Sequence, residues 1–350
     1  MADLRVAFIG TGRKWKAEGA TGFGMAYAHA SGYRKIAGVE LVACADIKKE
    51  NADAFAAETG AKRAWTNYRE MLRKEKPDMV SVCVWPHLHY PMVMDSIKAG
   101  VKAIHCEKPM GFTFGEARKM TEAAAAKKVK LTFNHQRRMG TPYRKVQDMI
   151  RAGELGKIVR MEAYTSNFYD WGTHWLDMLN KFNGESPALW VIGQLDWRKG
   201  TRVFGAPCDN QGIYHIGYKN GVQTIFQCGE CPVPGLCFRI LGEKGTAELY
   251  WGAPVLKVRI EGRDPGEFPT FPSLDFEPLN DLSLAEVVGA VKEGRTSELC
   301  AENALRATEI IFAGYESSRK RGRVDLPLTI KDNPLESMIR KGLVKAQKTK

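Results

Sequence analysis

Short apolar runs alternate with longer, helix-like segments through the first 135 residues. The apolar runs lie at Leu4–Ile9, Val39–Ala45, Asp78–Val84, Ala103–Cys106 and Val129–Phe133. Runs this short, continuous in apolar residues and bounded by turn residues, are typical of parallel strands buried on both faces. Helical segments separate them, for example at residues 52–60, 92–99 and 115–127. The repetition predicts a doubly wound α/β unit of the dinucleotide-binding type.

A different pattern begins at Lys157, where apolar and polar residues alternate with a period of two. The alternating segments are residues 158–164, 221–227, 238–241, 245–250 and 256–260, and two helical segments follow at 282–293 and 302–320. This pattern is typical of an antiparallel sheet that has one covered face. We therefore predict α/β plus α+β architecture in three parts. These are a Rossmann-type dinucleotide-binding domain at 1–135, an α+β domain at 136–330 with a large open, mostly antiparallel sheet covered by helices on one face, and a basic C-terminal tail at 331–350.

Composition narrows the class of protein. A composition of 44% hydrophobic and 26% charged residues is typical of an ordinary globular protein. No apolar run approaches the roughly 18 residues of a membrane span, and the first residues enter a strand directly, so we expect a cytoplasmic protein without a membrane partner. The net charge of +12 is partly in the tail. No aromatic platform or known nucleic-acid module accompanies it, so we expect an anionic cofactor rather than nucleic acid.

The first strand is followed at once by Gly10-Thr11-Gly12, and the second by Asp46. Glycines after a first strand permit a tight turn and a close approach of backbone to pyrophosphate, and an acidic residue after the second strand accepts hydrogen bonds from the adenosine ribose. Such a carboxylate would repel a 2′-phosphate, which favours NAD over NADP. The third glycine expected near Trp15 is absent. We interpret residues 13–21 as an insertion, whose basic side chains either contact phosphates or are solvated.

The apolar run Ala103–Cys106 ends in Glu107-Lys108-Pro109. A lysine at the carboxyl end of a central parallel strand points to the crevice where open α/β sheets bind ligands, and Pro109 stiffens the turn. The candidate cofactor contacts are Gly10, Thr11, Gly12, Asp46, Trp85, His89, Glu107 and Lys108. For His89, packing is the competing interpretation.

In the second domain, Asp170, His174 and Asp177 are spaced to share one face of a helix start. A carboxylate one turn from an imidazole can orient it and tune its pKa. The alternative interpretations of these three residues are a metal site and a plain capped helix, and we predict no metal at this motif. For Cys228, Cys231 and Cys237 we predict plain thiols. The aromatic and polar residues near this motif could face a sugar substrate, and nearby arginines could bind an anionic substituent of that substrate. The candidate substrate contacts are Lys108, Arg137, Asn167, Asp170, Trp171 and His174.

These motifs, in this order, resemble the Gfo/Idh/MocA (glucose-fructose oxidoreductase-like) oxidoreductase family. The resemblance rests on Gly10-x-Gly12 with Asp46, on Cys106-Glu-Lys108-Pro, on residues 170–177 as D-x-G-x-H-x-x-D, and on the closing segment 315–327. It covers about residues 4–328. It implies an NAD-dependent dehydrogenase acting on a CH–OH group of a sugar, glycoside or polyol. In the mechanism we expect, His174 takes the hydroxyl proton, Lys108 hydrogen-bonds the same oxygen, and Asp170 holds a neighbouring hydroxyl or His174.

Other functions remain open at this stage. Some relatives are thought to be glycosidases that hold NAD tightly and work by transient oxidation and elimination. A ligand-sensing Rossmann protein and a basic nucleic-acid binder are less well supported, the first because Lys108 and His174 are both present. The one-sided sheet leaves a face that needs cover, which leads us to expect a homodimer or homotetramer.

Overall fold

The computed structural model describes residues 4–231, 233–264 and 268–347. They form two compact units. The first contains residues 4–112, 116–136 and 280–304, and the second contains 113–115, 137–279 and 305–347. The change of unit at residues 136 and 137 lies beside the predicted boundary. The segment 280–304, which the alternation pattern assigned to the second domain, packs with the first unit instead. No helix in the described ranges is both long and apolar enough to cross a bilayer.

The first unit contains a six-stranded parallel sheet. Its strands are β1 (Leu4–Ile9), β2 (Val39–Ala45), β3 (Ala64–Trp65), β4 (Met79–Val82), β5 (Ala103–Cys106) and β6 (Lys130–Phe133). They are arranged in the order β3-β2-β1-β4-β5-β6, and every neighbouring pair is parallel. This is the predicted doubly wound sheet. The order reverses between β1 and β4, and ligands of such sheets bind outside the carboxyl ends of the strands at that point.

The helices follow in chain order, and most of them match the predicted segments to within a few residues. The last helix, Pro334–Arg340, lies in the segment 331–350 that was predicted only as a basic tail. They are α1 (Met25–Tyr33), α2 (Lys49–Thr59), α3 (Tyr68–Glu75), α4 (Pro86–Lys98), α5 (Phe114–Lys127), α6 (Thr141–Arg151), α7 (Gly172–Phe182), α8 (Leu279–Glu293), α9 (Ala301–Lys320) and α10 (Pro334–Arg340). Helix α4 was predicted to begin near Met92 but begins at Pro86. Proline is accepted in the first turn because the N–H that it lacks has no partner there.

The second unit contains an eight-stranded sheet. Its strands are β7 (Ile158–Thr165), β8 (Ala188–Asp196), β11 (Gln211–Tyr218), β12 (Gln223–Cys228), β13 (Leu236–Gly242), β14 (Gly245–Tyr250), β15 (Leu256–Ile260) and β16 (Val324–Asp325), and β9 (Arg202–Val203) pairs separately with β10 (Ala206–Pro207). The order is β15-β14-β13-β7-β12-β11-β8-β16. Only β7 and β12 pair in parallel, so the sheet is mostly antiparallel, as predicted.

Strands β8 and β11 were missed by the alternation pattern because glycines interrupt it. A Cβ atom on Gly193 would lie 2.3 Å from the ring of Tyr214, and one on Gly217 would lie 2.2 Å from the indole of Trp190. The glycines therefore make room for large aromatic side chains on the neighbouring strand. Side-chain packing in the folded sheet therefore explains the presence of these glycines, which by themselves disfavour strands.

The two faces of this sheet differ. Tyr214, Phe226 and Phe238 on one face are fully buried, and the ring of Phe168 stacks on Tyr214 at 3.6 Å. On the other face Ile192 and Ile213 stay 45% and 58% exposed. The sheet thus has one covered and one open face.

Candidate active site

A cavity of about 350 Å³ opens at the carboxyl ends of β1, β2 and β4, within the first unit. It lies where the strand order reverses, which is the expected place for a dinucleotide. Of the predicted cofactor contacts it contains the two glycines, the acidic residue after β2 and the tryptophan after β4. The residues that bear on the argument are Gly10, Gly12, Asp46, Trp85, Arg13 and Thr21.

Gly10 ends the first strand in a conformation that only glycine accepts here. Its φ is +83°, and a Cβ atom would lie 2.2 Å from Cγ1 of Val84 and 2.9 Å from the carbonyl oxygen of Cys83. The backbones after β1 and β4 therefore approach closely. Gly12 also has a positive φ, +58°, but nothing lies within 4 Å of its hypothetical Cβ. The open space beside this half-buried glycine is the kind of space that a phosphate group needs.

Asp46 stands at the end of β2 and faces the glycine turn. Its Oδ2 accepts hydrogen bonds from the N–H of Gly12 at 2.8 Å and from the hydroxyl of Thr11 at 3.3 Å. Its Oδ1 accepts one from the N–H of Lys48 at 2.9 Å. These bonds fix the carboxylate at the cavity wall. Its orientation suits the acceptance of ribose hydroxyls, and its charge disfavours a 2′-phosphate.

The insertion after the glycine turn borders the same cavity. Helix α1 begins only at Met25, after Gly24 in the left-handed conformation. Arg13 lines the cavity and donates from Nη1 to the carbonyl of Glu18 at 2.5 Å. Lys14 instead pairs with Glu58 at 2.6 Å. Arg13 thus lies at the cavity, whereas Lys14 is paired with a carboxylate.

A buried polar cluster lies behind the end of β5. Glu107 accepts hydrogen bonds at Oε1 from His29 Nε2 at 2.9 Å and from Asn134 Nδ2 at 2.8 Å. Burial alone would lower the pKa of His29, but the neighbouring Cys83 and Glu107 raise it to about 10. Burial likewise opposes ionisation of Glu107, yet His29 and Asn134 lower its pKa to about 2. Both shifts favour the charged forms, an imidazolium beside a carboxylate, and Glu107 directly precedes Lys108.

His89 is fully buried on α4 and lies between two backbone turns. Its Nε2 is 3.0 Å from the carbonyl oxygen of Val84, and its Nδ1 is 3.0 Å from that of Pro109. Burial lowers its pKa. His89 thus ties the end of β4 to the turn after Lys108, which agrees with the packing alternative. A direct contact with a cofactor stays a prediction.

In the second unit, the loop before α7 is built on hydrogen bonds to two side chains. Oδ1 of Asn167 accepts from the N–H of Asp170 at 2.7 Å and from that of Trp171 at 3.2 Å. The carboxylate of Asp209 accepts from the N–H of Phe168 at 2.9 Å and from the hydroxyl of Tyr315 at 2.7 Å. These bonds set the position at which α7 begins. Asn167 therefore has a structural task beside any contact with a substrate.

The remaining residues of the predicted constellation lie on or just before α7: His174 and Asp177 are in the helix, whereas Asp170 lies in the turn before it and not on the helix as predicted. Asp170 and His174 are both buried, with 6% and 3% exposure. Asp177 makes a two-pronged ion pair with Arg138, whose Nε and Nη2 lie 2.6 and 2.9 Å from its carboxylate oxygens. Arg138 also donates to Glu185 at 2.7 Å. Asp177 thus anchors α7 to the preceding segment, which is a structural role for the last aspartate of the motif.

No group of three or more His, Cys, Asp or Glu side chains in the described ranges is arranged to hold a metal ion. The eight cysteines are not linked by disulfides. Cys231 donates to the carbonyl oxygen of Val233 at 2.9 Å, and Cys228 and Cys237 are buried.

Comparison with known proteins agrees with this fold. A family model described as "Oxidoreductase family, NAD-binding Rossmann fold" (GFO_IDH_MocA) matches residues 4–135. The D-apiose dehydrogenase of Paraburkholderia graminis is 30% identical over 354 aligned residues, which cover 91% of this chain and 91% of that protein. The chain belongs to the Gfo/Idh/MocA oxidoreductase family.

Other members of the Gfo/Idh/MocA family match in part or in fold. D-glucoside 3-dehydrogenase of Escherichia coli is 32% identical over 157 residues, 45% of this chain and 42% of that protein. The match thus spans less than half of that relative. The crystal structure of the WlbA dehydrogenase from Bordetella pertussis with NADH and UDP-GlcNAcA has a TM-score of 0.77 at 20% identity, and covers 93% of this chain and 100% of that one. At that identity the similarity shows the fold.

The family membership and the two-part fold expected from the motifs are therefore confirmed. Sequence reasoning missed His29, Asn134 and Asp209, which hold the two motif-bearing turns. His29 and Glu107 are 78 residues apart, and nothing in the local pattern around His29 marks it. The signal available in the sequence was a polar residue, His29, within the otherwise apolar face of α1, but this signal does not identify Glu107 as its partner.

Proposed function

We propose that this protein is an NAD-dependent dehydrogenase that oxidises a CH–OH group of a sugar, glycoside or polyol. The observation that carries the proposal is the cavity at the reversal of the strand order, with Gly10 at its base and Asp46 at its wall. The sugar and glycoside dehydrogenases among its relatives support the substrate class. The wall carboxylate supports NAD rather than NADP, and we place the enzyme in the cytoplasm.

The residues of the cavity suit a dinucleotide. Gly12 leaves open space beside its backbone, which suits a pyrophosphate, and Arg13 adds a positive charge at the same wall. Asp46 lies at the wall of the same cavity, where its carboxylate suits a ribose hydroxyl as donor. When bound, the nicotinamide accepts the hydride that leaves the substrate carbon.

Proton transfer falls to two side chains of the chain itself. His174 acts as the general base and takes the proton of the hydroxyl being oxidised. Lys108 donates a hydrogen bond to the same oxygen and so stabilises the negative charge that develops there. Asp170, four residues before His174, holds a neighbouring hydroxyl or the imidazole. The buried pair of His29 and Glu107 holds the turn that presents Lys108.

The test is the formation of NADH by purified protein with a panel of glycosides, monosaccharides and inositols. We expect Lys108→Ala and His174→Ala each to lower kcat by about 100-fold or more on the best substrate, as is usual when a general acid or base is removed. Lys102→Ala and His215→Ala are matched controls, because Lys102 pairs with Asp78 on the surface and His215 hydrogen-bonds Gln223. Undiminished turnover in both active-site variants would refute the mechanism.

The same panel separates dehydrogenation from glycoside cleavage. Nitrophenyl glycosides report cleavage by the colour of the released phenol. A dehydrogenase accumulates NADH in proportion to the substrate consumed and releases no phenol. Release of phenol without added NAD and without net NADH would replace our proposal by the elimination mechanism.

A further inference from the structure

Two partly exposed tryptophans meet at a right angle in the second unit. Trp171 immediately precedes α7, and Trp251 follows β14. Their ring centroids are 5.7 Å apart with an interplanar angle of 88°. Each side chain remains 37% exposed, whereas the neighbouring Trp175 is fully buried. The two indoles therefore form an accessible aromatic corner, which is the name used below for Trp171 and Trp251 together.

A buried arginine holds this corner from behind. The guanidinium carbon of Arg137 lies 5.2 Å from the ring centroid of Trp171, 5.1 Å from that of Trp175 and 5.7 Å from that of Trp251. Its side chain is only 8% exposed. A cation so placed is attracted to the negative faces of all three indoles. Because Arg137 is buried, the exposed parts of Trp171 and Trp251 face away from it.

The charge of Arg137 is already compensated. Its Nη2 lies 2.7 Å from Oδ2 of Asp275, and the hydroxyl of Tyr143 donates to the other oxygen of that carboxylate at 2.8 Å. Trp175 is fixed as well, because its Nε1 donates to the carbonyl of Cys237 at 3.2 Å. The corner is thus a preorganised, electrically neutral surface. Such a surface suits an uncharged ring better than the anionic substituent first considered for Arg137.

Trp171 of the corner lies close in the chain to Asp170 and His174 of the same unit. Trp171 follows Asp170 directly and precedes His174 by three residues, a rise of about 4.5 Å along a helix. A group stacked on the corner and a sugar held at His174 can therefore belong to one substrate molecule. The C–H face of a sugar ring, or an aromatic ring, complements an indole face because C–H edges are positive and ring faces are negative.

We infer that the aromatic corner of Trp171 and Trp251 is a subsite for a second ring, and that the substrate is a glycoside whose aglycone or second sugar stacks there. This inference rests on the proposed dehydrogenase function, because it adds a second ring to the sugar that the dehydrogenase would oxidise. Free monosaccharides and inositols lack the second ring and are the poorer substrates. Trp251 is the residue that determines this preference without touching the reacting carbon.

The test compares methyl and phenyl glycosides of glucose, galactose and xylose, which differ only in the second ring. For the wild-type protein we expect a lower KM and tighter calorimetric binding with the phenyl glycoside. Trp251→Ala is expected to remove this advantage, roughly 2- to 10-fold for one lost ring contact, while leaving kcat and the methyl glycoside unchanged. Trp251→Phe, which keeps an aromatic face, is expected to restore part of it.

Trp190→Ala serves as the matched control. The guanidinium of Arg323 lies 5.1 Å from the ring centroid of Trp190, so this indole also contacts an arginine, but it lies on β8 and is not part of the corner. The thermal midpoint of each variant shows whether it folds. An equal loss with both glycosides, or no loss with either, would overturn the subsite. Turnover without phenyl preference would leave the dehydrogenase intact and refute the corner alone. Phenyl-selective binding without NADH formation would support the aromatic corner and refute the dehydrogenase function. Failure of the whole panel to bind would refute both the corner and the dehydrogenase function.

Discussion

His29 and Glu107 form a buried ion pair in which the imidazole Nε2 and the carboxylate Oε1 are 2.9 Å apart. The histidine belongs to α1 and the glutamate follows β5, so the pair joins a helix to the end of a strand of the sheet. Asn134, after β6, donates to the same oxygen at 2.8 Å. The residue next to Lys108 is thus tied to two other parts of the unit. We attribute the fixed position of that turn to these bonds.

The pair makes stability depend on pH on both sides of a plateau. The pKa of His29 is raised from 6.5 to about 10, so its contribution to the free energy of unfolding is complete below pH 6.5 and is lost as the pH rises toward 10. The pKa of Glu107 is lowered from 4.5 to about 2, so its contribution is complete above pH 4.5 and is lost as the pH falls toward 2. We expect the largest contribution of the pair between pH 4.5 and 6.5.

Denaturant titrations at several pH values check this expectation. His29→Gln leaves a buried carboxylate unpaired and is expected to cost about 3–5 kcal/mol near neutral pH. The double variant His29→Gln with Glu107→Gln removes both charges and is expected to be less destabilised than the single one. The difference in stability between wild type and double variant should shrink from pH 6.5 toward pH 10. A difference that does not change with pH would contradict the charged pair.

Gly10→Ala is expected to destabilise the first unit far more than Gly100→Ala. Both glycines have nearly the same φ, +83° and +82°, so both substitutions introduce the same backbone strain of about 1 kcal/mol. Only at Gly10 does the new Cβ meet another atom, at 2.2 Å, whereas nothing lies within 4 Å at Gly100. The difference between the two midpoints of urea unfolding isolates the close approach of β1 and β4. Equal midpoints would show that the approach is not tight.

Asp46→Ser is expected to change the choice of cofactor. The substitution removes the carboxylate from the wall of the cavity and should weaken NAD and strengthen NADP, shifting the ratio of their dissociation constants by about tenfold or more. Asp53→Asn is the control for loss of a negative charge nearby, because Asp53 pairs with Lys49 on the surface of α2. Fluorescence titration with NADH and NADPH measures the ratio. A ratio unchanged in Asp46→Ser would remove the ribose role.

We propose that the open face of the second sheet joins copies of this chain into a homodimer or homotetramer. Ile192 on β8 and Ile213 on β11 lie near each other on that face, because the partner of Ile192 in the ladder is His215 and that of Ile213 is Gln194. Ile213→Glu is expected to lower the molar mass measured by light scattering. Leu343→Glu, at a residue 62% exposed in the C-terminal segment, is the control. Identical masses for wild type and Ile213→Glu would refute this interface.

Local patterns were sufficient for most elements of the first unit. Strands β1, β2 and β5 were predicted with the bounds that the structure has, since each is a short apolar run closed by glycine or a charged residue. The second unit was harder. Helix α7 is buried along its whole length, its polar residues included, and β8 and β11 contain glycines that make room for the rings of neighbouring strands.

The amino-acid sequence alone determined the two-part architecture, the glycine turn with Asp46, and the motif residues Lys108 and His174, because periodicity and short motifs are local properties. Only the tertiary structure decided the partners of those residues. His29 pairs with Glu107 across 78 positions, and Arg137 contacts Trp171 together with Trp251, which lies far from it in the chain. Such contacts depend on strand order and packing, in which residues distant along the chain become neighbours, and no local pattern records that.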